Sequence, residues 1–176
     1  MDKQNTMLSL METRRSCRNF KSDMIPSEIL EKILRAGTFA ATGRNRQSPV
    51  IIAVTNKELR DEISLWNRKI MGTDSDPFYN APVILIVLAD KNIPTHLYDG
   101  SLVMGNLMLA AHACGVASCW IHRAKEEFES SEGKDLLKKL GIEGEYEGIG
   151  HCALGYSAVE LPEGGPRKEN YIYYVD

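Results

Sequence analysis

Apolar positions recur at helical spacing near the start of the chain, where Met7, Leu10 and Met11 predict a first helix over residues 5–14. A second helix is predicted over 27–41: Pro26 and Glu28 mark its start, and Ile29, Leu30, Ile33, Leu34 and Ala40 share one face. The stretch 49–55 (PVIIAVT) predicts a strand, and Asn56 is placed to cap a helix over 57–70 with Leu59, Ile63 and Ile70 inward. Residues 82–89 are almost unbroken aliphatic and predict a fully buried strand. Residues 95–114 are apolar on nearly all sides and stop at Gly115, a pattern that predicts a central helix buried all round. A strand over 117–122, a surface helix over 125–140 ended by Gly141, and a strand over 149–156 follow. Beyond the turn-rich 163–166, the segment YIYYV at 171–175 has strong β propensity.

Helices and strands alternate irregularly, which predicts an α+β (mixed α/β) fold of roughly five helices around a central sheet. No repeat, low-complexity stretch or linker divides the 176 residues, so a single domain over 1–176 is expected. The terminal strand, set beyond a Gly/Pro turn, is a candidate for pairing with a partner chain.

Composition narrows the classes. A net charge of −3 argues against a general nucleic-acid binder, which needs a broad positive surface. The polar opening 1–6 lacks the apolar stretch of a secretory signal, and the longest apolar run is too short to span a bilayer. Cys17, Cys114, Cys119 and Cys152 are then expected as reduced thiols, and the protein as cytoplasmic with no membrane partner.

Candidate chemistry begins with Arg14-Arg15-Ser16-Cys17-Arg18 at the end of the first predicted helix. Three guanidiniums so close repel one another, and a charged planar fork suits phosphate recognition. A solvated helix end complementing the dipole accounts for the same residues. In the polar loop 42–49, Asn45 and Gln47 offer amides that suit the edge of a planar heterocycle, although an ordinary turn explains them equally. Arg167 and Lys168 follow Gly164-Gly165-Pro166 and read either as further phosphate charge or as a solvated tail.

Two other motifs are set aside. Residues 148–153 fit G-x-G-x-x-A, but acidic residues precede them and a strand-like stretch follows, so they are not a dinucleotide fingerprint. Their glycines instead predict a strand backbone running close to another element. His112, Cys114, Cys119 and His122 fall together, but their pairs are spaced too tightly for a structural zinc site. No metal is expected.

In order, these segments resemble the nitroreductase family of flavoproteins. The resemblance runs through Arg14-Arg15-Ser16-Cys17-Arg18-Asn19-Phe20, Ala40-Ala41-Thr42-Gly43-Arg44-Asn45-Arg46-Gln47, Asp99-Gly100-Ser101-Leu102 through Leu109-Ala110-Ala111-His112, Gly115-Val116-Ala117-Ser118-Cys119-Trp120-Ile121 and Ala153-Leu154-Gly155-Tyr156. It implies a mainly antiparallel central sheet flanked by helices, with FMN as cofactor and NADH or NADPH as reductant. It implies a homodimer with FMN in the interface and a C-terminal segment exchanged with the partner. Arg14, Arg15 and Ser16 correspond to positions at the phosphate and ribityl chain, and Arg18 to one at the pyrimidine edge of the ring. Asn45 and Gln47 match a loop that contacts flavin, typically from the other subunit. Cys119, Trp120, Ile121 and His122 match the backbone beside the ring, and Arg167, with Lys168, a late basic residue that closes on the phosphate. The family's frequent Q-P-W is Gln47-Ser48-Pro49 here, and the region 72–94 is short where relatives carry substrate-covering helices.

The implied activity is ping-pong passage of hydride from NAD(P)H through flavin N5 to a small acceptor such as a nitroaromatic or quinone. Arg18 is the expected catalytic residue, stabilising negative charge on the reduced ring. Alternatives are a flavin-binding storage or sensor protein without significant turnover, and a specialised flavin reaction on the same fold.

Overall fold

A computed structural model describes residues 3–176; Met1 and Asp2, the start of the polar N-terminal stretch, lie outside the described residues. One sheet organises the chain: β1 (Pro49–Val54), β2 (Val83–Asp90), β3 (Ala117–Ile121) and β4 (Tyr146–Gly155) lie in the order β1-β2-β4-β3, and every neighbouring pair is antiparallel. Around it are α1 (Lys3–Thr13), α2 (Ser27–Thr38), α3 (Lys57–Met71), α4 (His96–Ala113), α5 (Ala124–Glu129) and α6 (Ser131–Lys139).

Alternation along β2 explains its unbroken apolar run. Ile84, Ile86 and Leu88 point to one face and pack with Ile63 and Trp66 of α3, Phe128 of α5 and Leu136 and Leu137 of α6. Val83, Leu85 and Val87 point to the other and meet Leu30 and Ile33 of α2 and Val103, Met104 and Leu107 of α4. Helices cover both faces, so neither side of the strand tolerates a polar residue. Each such side chain stabilises the fold by about 1.5–3 kcal/mol.

The glycines of 148–153 lie inside β4, as a strand and not a helix opening. Val87 pairs with Gly150 and Leu88 with Gly148, so Ile149 is an extra residue bulged out of the ladder. A β-carbon at Gly148 would overlap the backbone of Ala124 and Lys125, and one at Gly150 would overlap the Trp120 indole. The bare backbone lets α5 and Trp120 press onto the strand.

Two expectations need correction. The helix predicted over 125–140 is two helices, because Ser130 adopts an extended conformation (ψ 167°) and caps α6 by accepting from Gly133 N–H at 3.2 Å. Both helices lie on the surface, as expected, with Phe128, Leu136 and Leu137 on the face turned to the core and Lys125, Glu126, Lys134, Asp135, Lys138 and Lys139 exposed. The helix α4 is central but not buried all round; Val103, Met104, Leu107 and Ala111 face the sheet, whereas Tyr98 and Leu102 are 72% and 51% exposed. The segment 171–175, expected to pair with a partner chain rather than with its own, forms no strand within this chain. One 3-10 turn (Glu169–Tyr171) precedes an extended, exposed end, because β propensity makes a strand only where a second backbone accepts its hydrogen bonds.

Candidate functional site

The chain leaves α1 at Arg14, whose N–H still donates to the Leu10 carbonyl at 3.1 Å, and then runs beside the outer edge of β3. Ser16 bridges Ser118 in parallel, Cys17 N–H donates to the Ser118 carbonyl at 2.9 Å, and Phe20 bridges Ser157. Cys17 and Phe20 are buried and pin the segment to the core on either side of Arg18. Ser16 is half-buried and Arg18 is exposed.

The guanidiniums differ. Arg15 Nη1 donates to the Glu12 and Arg14 carbonyls at 2.6 and 2.7 Å, which satisfies the end of α1. Its Nε, and Nη1 of Arg14, are shielded from solvent and have no hydrogen-bond partner. Among the described residues, none of Arg14, Arg15 and Arg18 forms an ion pair. Buried donors left unsatisfied and uncompensated positive charge are costly, and an anionic group relieves both. The arrangement therefore fits a phosphate better than a merely solvated helix end.

Neighbouring titratable groups register this charge. Burial, then Arg14 and Arg15, hold His112 below the usual histidine range. Burial pushes the Cys119 thiol up, against the opposing pull of Arg18, the Ser16 hydroxyl and Arg14. Burial also raises Cys152. Both thiols are therefore protonated at neutral pH and not nucleophilic.

Of the predicted ring-side residues, Cys119 and Ile121 point into the core, Trp120 is half-buried and His122 is exposed. Trp120 Nε1 is shielded without a partner. Arg167 and Lys168 are not brought to the cluster: Arg167 Nη2 donates to the Gly165 carbonyl at 2.7 Å, and Lys168 Nζ lies over the Tyr171 ring at 5.4 Å. The tail nonetheless crosses the cluster at Gly164, where a β-carbon would overlap the Arg15 guanidinium.

Asn45 and Gln47 are exposed on a loop leading into β1, at the sheet edge opposite β3. This loop is tied to the N-terminal turn of α4, since Asp99 Oδ1 accepts from Gly43 N–H at 2.9 Å. The arginine cluster meets the other end, where Thr13 Oγ1 lies 2.9 Å from His112 Nε2. At 1.5 Å per residue those anchor points are about 20 Å apart along α4. Within one subunit, the two predicted halves of the site are separate.

Two features escaped the sequence reading. One is the role of Asp99: it opens one of the resembling segments, but its position in the first turn of a helix looks like an ordinary dipole complement. The other is a buried polar chain on the far face of the sheet. His151 Nε2 lies 2.8 Å from Glu127 Oε2, both fully buried. Asn67 Nδ2 donates to Glu127 Oε1 and, at 3.0 Å, to the His122 carbonyl, and Arg123 Nε donates to Asn67 Oδ1 at 2.8 Å. This chain holds the β3–α5 turn, including Arg123 at φ 79°. The available signal was His151 within the apolar stretch of β4; Glu127 stands among other charged residues of α5 and is not distinguished by pattern.

Fold and site together define an α+β protein with a four-stranded antiparallel sheet and an unpaired cationic cluster beside one sheet edge. The Nitroreductase family model matches residues 11–156, and the chain belongs to that family. An Archaeoglobus fulgidus protein provisionally named as an NADH dehydrogenase/NAD(P)H nitroreductase is 28% identical over 96% of this chain and 90% of its own length. A nitroreductase with bound FMN from Bacteroides fragilis superposes with a TM-score of 0.89 at 26% identity, covering 100% of both chains. One from Desulfitobacterium hafniense, also with bound FMN, gives 0.86 at 27%, again over 100% of both.

Proposed function

We propose that the chain acts as one domain over 1–176 and as an FMN-dependent oxidoreductase, a homodimer with a flavin site in each interface. The observation that carries this reading is a cluster of three guanidiniums, at Arg14, Arg15 and Arg18, without an ion pair among the described residues, in which Arg14 Nη1 and Arg15 Nε are shielded and lack a hydrogen-bond partner while Arg18 is exposed. The FMN carried by the Bacteroides and Desulfitobacterium relatives supports the choice of anion.

When bound, FMN would supply transfer of hydride from NADH or NADPH through N5 to a small acceptor such as a nitroaromatic or quinone, in ping-pong order. Arg14, Arg15 and Ser16 would hold the phosphate and ribityl end, with Arg167 and Lys168 closing over it once the tail is docked. Arg18 would place a permanent positive charge at the pyrimidine edge, where negative charge gathers on reduction. The backbone of Cys119, Trp120, Ile121 and His122 would flank the ring.

The separation of the two halves supports the homodimer. Asn45 and Gln47 of the partner subunit would meet the ring that Arg18 serves. The exposed 171–175 segment and the open outer edge of β1 are complementary needs: one lacks a strand partner, the other has unpaired backbone. Exchange of that segment between subunits would answer both.

The test is an anaerobic FMN titration followed by NADH and NADPH. The expected result is a yellow complex of about one FMN per subunit that bleaches with a nicotinamide and recovers with a nitroaromatic or quinone. No uptake of FMN contradicts the proposal. Uptake without bleaching by either nicotinamide indicates a flavin binder without turnover.

A further inference from the structure

The loop 43–48 is the segment of this fold that most needs outside support. Arg44, Asn45 and Gln47 have φ of 54°, 54° and 50°, the left-handed region that residues with a β-carbon avoid. Its internal bonds are local. Asn45 N–H donates to the Thr42 carbonyl at 3.0 Å, Arg46 N–H to the Gly43 carbonyl at 3.2 Å, and Gln47 N–H to Thr42 Oγ1 at 3.1 Å. Such bonds fix the shape of the loop but not its place on the protein.

Its place is set by one carboxylate. Asp99, 3% exposed in the first turn of α4, accepts from Gly43 N–H at 2.9 Å on Oδ1 and from the Ser48 hydroxyl at 3.3 Å on Oδ2. Thr95 Oγ1 donates to the same Oδ2 at 2.9 Å. A desolvated carboxylate is unfavourable unless its oxygens are satisfied, and two of its three donors come from the two ends of the loop. The fit is close at Gly43, where a β-carbon would overlap the Thr95 hydroxyl. The held shape orients the exposed amides: Gln47 Nε2 donates to Asn45 Oδ1 at 3.3 Å, which leaves Asn45 Nδ2 as donor and Gln47 Oε1 as acceptor facing outward.

We infer that Asp99 is a positioning residue, which clamps both ends of the loop to α4 and presents Asn45 and Gln47 as a preformed donor–acceptor pair. The inference rests on the proposed reading that these two amides meet the edge of a flavin. Preorganisation of this kind acts on affinity, because the loop does not have to be ordered when the ligand arrives.

The first arm of the test is hydrogen exchange on cofactor-free protein. Asp99→Ala is expected to speed exchange at residues 45–47 by roughly tenfold or more, with β2 amides unchanged. These amides are informative because they bond to Thr42 and Gly43 and not to Asp99. Gly43→Ala, which leaves Asp99 in place but forces the loop from Thr95, is expected to do the same. Asp99→Asn, which keeps one carbonyl oxygen for Gly43, is expected to restore most protection. If Asp99→Ala does not fold, the other two variants decide the matter.

The second arm is FMN titration. Asp99→Ala is expected to weaken FMN roughly tenfold, and to add little once Asn45 and Gln47 are both Ala. Unchanged exchange at 45–47 in both Asp99→Ala and Gly43→Ala overturns the inference, as does full additivity in that background. Failure of the unmodified protein to bind FMN sinks the proposed function instead, and leaves the exchange arm to judge the clamp.

Discussion

His112 Nε2 lies 2.9 Å from Thr13 Oγ1, and that hydroxyl already donates to the Ser9 carbonyl at 2.6 Å, so the imidazole supplies the proton they share. Nδ1 is then the nitrogen left to protonate. It would gain that charge beside Arg14 and Arg15, which with burial hold the group below the usual value near 6.5.

The consequence for stability has a definite sign. As pH falls through about 6.5 the unfolded chain takes up a proton at His112 before the folded one does, so stability is lost on acidification and is fully present above that pH. Urea unfolding at pH 7.5, 6.5 and 5.5 should show a loss that is smaller in His112→Gln. Identical pH dependence in the two proteins would contradict the assignment. If a phosphate settles on the arginines, it offsets their charge, and the NMR titration of His112 should move to higher pH when FMN is added.

The buried chain on the opposite face gives a larger effect. Removing the Glu127 carboxyl strands the buried His151 imidazole and the Asn67 amide and leaves a cavity, at about 1–3 kcal/mol for each stranded group, so Glu127→Ala should cost about 3–5 kcal/mol in denaturant unfolding. Asn67→Ala should cost less, about 1–3 kcal/mol, since the His122 carbonyl and Arg123 Nε that it strands lie nearer solvent. A loss below about 1 kcal/mol for Glu127→Ala would mean that water replaces the carboxylate.

Close packing at Gly150 is equally open to measurement. Its α-hydrogens face the Trp120 indole, and Gly150→Ala should destabilise by about 1–3 kcal/mol while quenching or shifting Trp120 fluorescence as the ring is displaced. A neutral variant with an unchanged spectrum would show that β4 moves aside freely.

Much of this was legible in the sequence where a pattern was local. The double-faced run of β2, the cap at Asn56 (its Oδ1 accepts from Leu59 N–H at 2.8 Å) and the antiparallel sheet all follow from period, turn chemistry and family resemblance. The arginine cluster was legible as residues but ambiguous as chemistry. Only the missing counter-charges and the shielded Nη1 of Arg14 favour an anion. What could not be read depended on contacts between distant segments. The break at Ser130 needs Gly133 pressed against the backbone of Glu127 and Phe128. Asp99 becomes a clamp only when Gly43 and Ser48 arrive from 51 and more residues away. The end segment 171–175 has strand propensity and no strand, because nothing in its own subunit pairs with it.

The central claim is that each site is built from two subunits, and complementation tests it most directly. Arg14→Ala/Arg18→Ala in one protein and Asn45→Ala/Gln47→Ala in another should each bind FMN at least tenfold more weakly. Heterodimers formed by co-expression should regain one intact site, giving about one tightly bound FMN per dimer. If both halves of the site lie within the same subunit, every site in the heterodimer remains damaged and no tight binding returns, which would contradict the account.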